Sequence, residues 1–225
     1  TQNRVVILKE VDGDRQLLIW IGEFEAQSIV IELRHQESPR PLPYDLLRAA
    51  IESLGPLLPN VLELSYLLTY AMPPLAVTAI YVCHRRDRIG DMDLLLPKGT
   101  PAPYARHPGV PSHTPRPVFE GMDLPQMSAL RAINLRILGG YGITTSVFPS
   151  GHAAASFAAA FALMRVLPES SRRWGRAMLL LATLIAIATV YGRYHFAIDT
   201  IAGLALAGGA WAWSFTWRKS PSTPS

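Results

Sequence analysis

Cysteine is almost absent from this chain, which holds Cys83 alone among 225 residues. A single cysteine excludes an intramolecular disulfide and any metal site built from Cys-x-x-Cys ligands. The N-terminus also lacks the succession of basic, apolar and small residues that marks a secretory signal peptide. Cysteine usage therefore excludes an internal disulfide and a Cys-x-x-Cys metal site, and it says little about the redox compartment.

Charged side chains are scarce as well, at 17% of the residues against 49% that are hydrophobic. The net charge of +4 comes from clusters of arginine that flank apolar segments. Clusters in that position favour membrane anchoring over nucleic-acid binding. The length allows one or two domains with ample core.

The first 56 residues have the signals of a small α+β region. Two apolar runs stand on either side of Asp12-Gly13, a pair that favours a tight hairpin turn. Two later runs have helical spacing, and Gly55-Pro56 ends the second. The predicted strands and helices are Arg4–Lys9, Gln16–Ile21, Glu23–His35 and Tyr44–Leu54.

Four apolar stretches follow, each close to the roughly 20 residues that a helix needs to cross a bilayer. They are Leu57–Cys83, Val147–Leu167, Ala177–Phe196 and Ala197–Trp217. The first is assigned to lipid-facing packing alone. Residues 125–138 are expected to form a short interfacial helix.

The fold class predicted is therefore mainly α, a transmembrane helical bundle of about four spans over residues 57–219. Residues 1–56 form its small α+β appendage, and residues 220–225 are expected to be a disordered tail. Three glycines in the last stretch are expected to allow close helix contacts. They are Gly203, Gly208 and Gly209.

Two histidines stand at the edges of apolar stretches, where an imidazole is costly unless a polar group meets it. His152 ends the run Phe148-Pro149-Ser150-Gly151-His152. Ser150 can cap the helix that starts there. The unpaired N–H groups around Gly151 and His152 then converge on one point, which suits a phosphate or another anion.

The second histidine, His195, stands four residues before Asp199. On a helix this spacing places both on one face within hydrogen-bonding reach. A carboxylate bound to one imidazole nitrogen leaves the other free as a base or nucleophile. Two histidines, a carboxylate, an anion cradle and nearby arginines indicate phosphoryl transfer.

Arginine-rich loops predict the orientation of the bundle. They hold Arg165, Arg172, Arg173, Arg176, Arg218 and Lys219. If these loops are cytoplasmic, His152 and His195 lie together on the extracytoplasmic face. If the basic flank at residues 84–88 is cytoplasmic too, the chain must cross the membrane between Arg88 and Ser150, yet no run between them is apolar enough. Either that flank breaks the rule, the first stretch is not a full span, or a transmembrane segment has been lost.

Pro149-Ser150-Gly151-His152 and His195-x-x-x-Asp199 resemble the second and third motifs of the type 2 phosphatidic acid phosphatase family. The resemblance covers roughly residues 60–217. It implies a membrane helical bundle related to vanadium haloperoxidases, and phosphatases that need no metal or other cofactor.

The resemblance also implies a role for each matching residue. His195 would be the nucleophile that becomes phosphohistidine, Asp199 would orient it, and His152 would protonate the leaving oxygen. Ser150 and the Gly151 N–H would hold phosphate oxygens.

The family's first motif, KxxxxxxRP, survives here only as Arg116-Pro117, without its lysine. The arginine position of the third motif falls on Thr189. Arg193 follows in an Arg-Tyr-His order that resembles inositol-phosphate transferases to lipids. Arg116 and Arg193 are expected to share phosphate binding.

The N-terminal region resembles the bifunctional nucleases, named for acting on both RNA and DNA. The matching segments are Val6-Ile7-Leu8, Arg15 to Gly22, Glu25-Ala26-Gln27, Pro39 to Leu42 and Asp45-Leu46-Leu47. The resemblance implies the front half of that domain joined to a phosphatase bundle.

The hypothesis that unites these features is an integral membrane phosphatase or phosphotransferase for a lipid phosphate, of the phosphatidic acid or isoprenyl diphosphate type. Its partners would be that lipid and the membrane. One alternative is a membrane-tethered nuclease-like protein acting on RNA or DNA, and only then is a nucleic-acid partner expected. The other is a non-catalytic membrane protein with a degenerate phosphatase site.

Overall fold

The computed structural model describes residues 4–9, 16–21, 43–90, 124–141 and 148–217, and the single positions 26, 30 and 115. The strands are β1 (Arg4–Lys9) and β2 (Gln16–Ile21). The α-helices are α1 (Pro43–Ser53), α2 (Leu57–Leu67), α3 (Met72–Val82), α4 (Ala129–Tyr141), α5 (Gly151–Val166), α6 (Arg172–Tyr191) and α7 (Ala197–Trp217). Short 3-10 turns cover Leu68–Ala71, Arg86–Arg88 and Glu169–Ser171. The chain divides into two compact units, residues 1–49 and 50–225.

The first unit contains the predicted hairpin. β1 and β2 pair antiparallel, with Arg4 opposite Ile21 and Lys9 opposite Gln16, so both predicted strands are confirmed. α1 lies within one residue of its predicted bounds. Gly55 follows with a φ of +86°, a left-handed conformation that ends a helix at little cost for glycine. The predicted helix Glu23–His35 falls outside the described residues, apart from positions 26 and 30.

In the second unit, α5 packs against α3, α6 and α7. Its inward side is built largely from small residues, which let neighbouring helices approach closely. Ala153, Ala154, Ala158, Ala159, Ala160 and Ala162 are buried. The phosphatase-like motif at Ser150 to His152 is therefore held at the start of a helix in the bundle core.

The stretch Leu57–Cys83 differs from its prediction. A 3-10 turn at Leu68–Ala71 separates α2 from α3, just before Pro73-Pro74, whose missing N–H groups suit the first turn of a new helix. Leu62, Tyr66 and Met72 are buried against the bundle. The assignment of this stretch to lipid-facing packing alone was wrong, because one side faces protein.

Two helical stretches among the described residues are long and apolar enough to cross a membrane, Leu57–Val82 and Glu169–Tyr191. Gly151–Val166 is apolar but shorter. The mainly α fold is confirmed, whereas a bundle of four spans stays a prediction. The helix predicted over residues 125–138 is α4, which begins four residues later, at Ala129, and ends at Tyr141. It packs one side against α2, and its interfacial position stays a prediction.

Candidate functional site

The fold brings the two histidine clusters together. His152 lies in the first turn of α5, and His195 lies in the loop between α6 and α7. His195 Nε2 is 3.4 Å from His152 Nδ1, and the ring centroids are 5.5 Å apart. Two side chains separated by 43 positions in the sequence therefore share one site.

Asp199 lies beside His195, although in a different way from the one predicted. α7 begins at Ala197, so His195 precedes the helix, and the expectation that both residues stand on one helix face was wrong. His195 Nδ1 is 3.5 Å from Asp199 Oδ2, an ion-pair distance, and makes no hydrogen bond within the described part of the chain. Oδ2 instead accepts the Phe196 N–H at 3.0 Å, as an acidic residue does in a helix capping box.

Ser150 connects the two clusters through its backbone. Its N–H donates to the Asp199 carbonyl at 2.9 Å, and its side chain accepts the Ala153 N–H at 3.3 Å. The prediction that Ser150 caps this helix is thereby confirmed. Gly151 is the first residue of α5. The N–H groups in the first turn of an α-helix have no carbonyl partner within that helix. The start of α5 therefore has a geometry that suits anion binding, and it lies beside both histidines.

Gly203 is the point of closest approach between α7 and this helix start. A Cβ built at Gly203 would lie 2.6 Å from the Ser150 carbonyl oxygen. The equivalent Cβ atoms at Gly208 and Gly209 would meet no atom of the described residues within 4 Å. The predicted close contact is therefore confirmed for Gly203 and was wrong for the other two.

Gly203→Ala is expected to lower both thermal stability and activity, because the methyl group must push α7 away from Ser150. The free energy of unfolding should fall by about 1–3 kcal/mol, the usual cost of overpacking. Thermal melting in detergent measures this change, with Gly208→Ala as the matched control. Equal melting temperatures for the two variants would contradict the close contact.

Arg193 is buried, and its backbone is left-handed, with a φ of +56°. Its N–H donates to the Val190 carbonyl at 3.1 Å. The loop conformation is uncommon for a residue with a Cβ and is held by the contacts around it. Arg116, the other expected phosphate-binding cation, lies outside the described residues.

Thr189 stands where the family motif usually has arginine, and it organises the loop. Its carbonyl accepts two N–H groups, from Tyr194 at 2.9 Å and from His195 at 3.0 Å. Its hydroxyl lies 3.0 Å from that of Thr200 on α7. Thr189 therefore anchors the histidine loop to both flanking helices.

Two tyrosine rings contact His152 and a third stacks on one of them, and none of the three was predicted as a site residue from the sequence. The Tyr66 ring stacks on His152 at 5.4 Å between centroids and on Tyr194 at 4.0 Å. The Tyr70 ring meets His152 edge-on at 5.7 Å. Tyr66 and Tyr70 stand four residues apart, a spacing that could have suggested a shared side of the chain but not which residue that side would face.

Tyr194 has a shifted ionisation. Burial raises its pKa, as do the facing carboxylate of Glu63 and the hydrogen bond between the two groups. The phenol therefore remains a hydrogen-bond donor across the physiological pH range.

A helical bundle in which a half-buried histidine faces a buried one, beside a carboxylate and a helix N-terminus, is an arrangement that suits a phosphate-binding class of protein. The PAP2 superfamily model matches residues 103–221, more than half of the chain, so the chain belongs to the PAP2 superfamily. The bifunctional nuclease domain matches residues 6–62. Both resemblances found in the sequence are therefore confirmed.

Individual relatives match shorter parts. Two uncharacterised proteins of Mycobacterium tuberculosis, from strains CDC 1551 / Oshkosh and H37Rv, are each 51% identical over 51 residues. That is 23% of this chain and 31% of each relative. A PA-phosphatase related-family protein of Dictyostelium discoideum is 46% identical over 57 residues, which is 25% of this chain and 10% of the relative. This chain thus spans less than a third of each of these relatives, and no solved structure matches.

Proposed function

We propose that this protein is an integral membrane phosphatase or phosphotransferase for a lipid phosphate, with a phosphohistidine intermediate on His195. The observation that carries the proposal is the 3.4 Å approach of His195 Nε2 to His152 Nδ1, with Asp199 beside the opposite nitrogen of His195. A nucleophile, a proton donor and an orienting carboxylate thus meet at one point.

In the first step the His195 Nε2 lone pair attacks phosphorus, and a P–N bond forms as the P–O bond to the lipid breaks. A protonated His152 transfers its proton to the leaving oxygen. The Asp199 carboxylate stabilises the positive charge that develops on the His195 ring. Arg193, the Gly151 N–H and Ser150 are assigned to the phosphate oxygens, and Arg116 is assigned with them from the sequence.

In the second step the now neutral His152 takes a proton from water or from an acceptor alcohol. The resulting oxygen attacks phosphorus, the P–N bond breaks, and His195 returns to its neutral form. Water gives a phosphatase and an alcohol gives a phosphotransferase. Because His195 supplies the nucleophile, the scheme needs neither a metal ion nor a cofactor.

The direction of α5, with the histidine at its start and arginines at its end, supports a site on the extracytoplasmic face. His152 lies in its first turn, whereas Arg165 lies in its last turn and Arg172 begins the next helix. A 16-residue helix is about 24 Å long, so the site and the arginines stand at opposite ends of it. Under the positive-inside rule the arginine end is cytoplasmic. Labelling of Ser170→Cys from outside intact cells would contradict this orientation.

A comparison of rates tests whether the substrate is a lipid. In detergent micelles, we expect phosphate release from phosphatidic acid or an isoprenyl diphosphate to exceed release from glycerol phosphate by about tenfold or more in kcat/KM. That ratio corresponds to about 1.4 kcal/mol of added binding to the chain. Equal values for lipid and soluble substrates would contradict a lipid specificity.

The match over residues 6–62 favours a second candidate function, cleavage of RNA or DNA by the N-terminal region. It shares no residue with the histidine site. If that activity exists, His195→Asn should leave it unchanged while removing phosphate release. Loss of both activities together would contradict two independent functions.

A further inference from the structure

A second polar cluster is buried behind the histidine loop, centred on Glu63 of α2. The Glu63 carboxylate accepts three hydrogen bonds from side chains. They come from Arg131 Nη1 at 2.8 Å, from Asn134 Nδ2 at 2.7 Å and from the Tyr194 hydroxyl at 2.6 Å. Glu63 is 3% exposed, Arg131 1% and Asn134 1%. Three separate parts of the chain therefore meet at one carboxylate.

A buried charge pair of this kind is expensive to maintain. Glu63 lies within Leu57–Val82, a candidate membrane span, where ionisable groups are rare and usually functional. Desolvation of a buried ion pair can outweigh its attraction, so replacement of both partners by apolar residues is often neutral for stability. Packing alone therefore gives little reason for Glu63 and Arg131 to be charged.

The cluster holds both sides of Arg193. Arg131 Nη2 donates to the Gly192 carbonyl at 3.5 Å, and the Tyr194 hydroxyl donates to Glu63. The Tyr194 ring lies so close to the Gly192 Cα that a Cβ at Gly192 would overlap it. His195 is the next residue along. The segment that carries the proposed nucleophile is thus held by its backbone on one side and by a side chain on the other.

We propose that Glu63, Arg131 and Tyr194 form a positioning cluster that holds Gly192–Tyr194 so that His195 faces His152. Asn134 completes the cluster by donating to the carboxylate and to the carbonyl of Glu63. None of these groups is assigned a contact with substrate. The inference rests on the role of His195 proposed above, and it assigns to α2 and α4 the task of aligning it.

Tyr194→Phe is the mildest test, because it removes one hydroxyl group and keeps the ring. We expect kcat for phosphate release to fall about 10- to 100-fold with KM changed by less than about threefold, since misalignment of a nucleophile slows the chemical step. Amide hydrogen exchange at Tyr194 and His195 should become about tenfold faster, because both N–H groups report on the loop. The matched control is Tyr81→Phe on the exposed side of α3.

The double variant Glu63→Leu with Arg131→Met separates positioning from stability. We expect it to melt within about 5 °C of the wild type, because no unpaired charge remains. Its kcat should fall like that of Tyr194→Phe, and the loop amides should exchange faster. If this double variant does not fold, Tyr194→Phe alone decides.

Wild-type turnover in either folded variant would overturn the proposal, as would unchanged exchange at both loop amides. If the wild-type protein itself releases no phosphate from any lipid substrate, the proposed function fails instead. Hydrogen exchange then still decides whether the cluster holds the loop, since it needs no substrate.

Discussion

His195→Asn is expected to reduce phosphate release from phosphatidic acid by on the order of 10³-fold or more. The variant removes the nitrogen that attacks phosphorus, and the remaining groups can bind the phosphate without forming the intermediate. His195 is buried, and it lies beside His152 and Asp199. Initial rates of phosphate release in detergent, at saturating lipid, measure the loss.

The matched control for this experiment is His84→Asn. His84 is exposed after the end of α3 and has a φ of +54°, a conformation that asparagine tolerates. It should retain the wild-type rate. A His195→Asn variant that keeps its fold and more than about a tenth of the wild-type rate would rule out His195 as the nucleophile.

His152→Ala is expected to lose about 10²- to 10⁴-fold in turnover of phosphatidic acid, the usual contribution of a positioned general acid and base. The loss should depend on the leaving group. Nitrophenolate leaves without a proton, so p-nitrophenyl phosphate should still form the phosphoenzyme at close to the wild-type rate. The second step should then stall, because no base activates water.

Stopped-flow absorbance measures this as a burst of nitrophenolate, about one per active site, followed by a slow steady rate. The wild-type protein, with both steps intact, provides the reference trace. An equal loss of both phases, with no burst, would show that His152 has some role other than proton transfer to the leaving group.

Local sequence signals predicted the parts of the fold that depend on neighbours in the chain. Ser150 was expected to cap α5, and α7 was expected from Ala197 to Trp217, because capping residues and apolar runs act over a few positions. The start of α6 was placed five residues late, at Ala177 instead of Arg172. Arginines are tolerated in the first turn of a helix at a membrane surface. The low hydropathy of Arg172 to Arg176 therefore did not mark the start of α6.

Contacts between distant elements could not be predicted in the same way. Glu63 meets Arg131 across 68 positions and Tyr194 across 131, and no periodicity encodes such pairs. The approach of His152 to His195 was expected because a shared site best explains two polar groups in apolar surroundings, because the arginine loops place both on one face, and because the family resemblance gives them roles in one reaction. Asp199 shows what residue spacing alone does not predict. Its carboxylate lies beside His195, as expected, but also accepts the Phe196 N–H at the start of α7.

The most direct measurement for the phosphohistidine account is rapid quenching with ³²P-labelled phosphatidic acid, followed by mass spectrometry of the peptide that begins after Arg193. Phosphohistidine is stable in base and labile in acid, which distinguishes it from phosphoserine and phosphothreonine. The account predicts base-stable label on His195 of the wild-type protein and none in His195→Asn. In His152→Ala it predicts that label accumulates only when ³²P-labelled p-nitrophenyl phosphate, whose leaving group needs no proton, is the donor. Label on any other residue, or release of phosphate by His195→Asn at the wild-type rate, would contradict it.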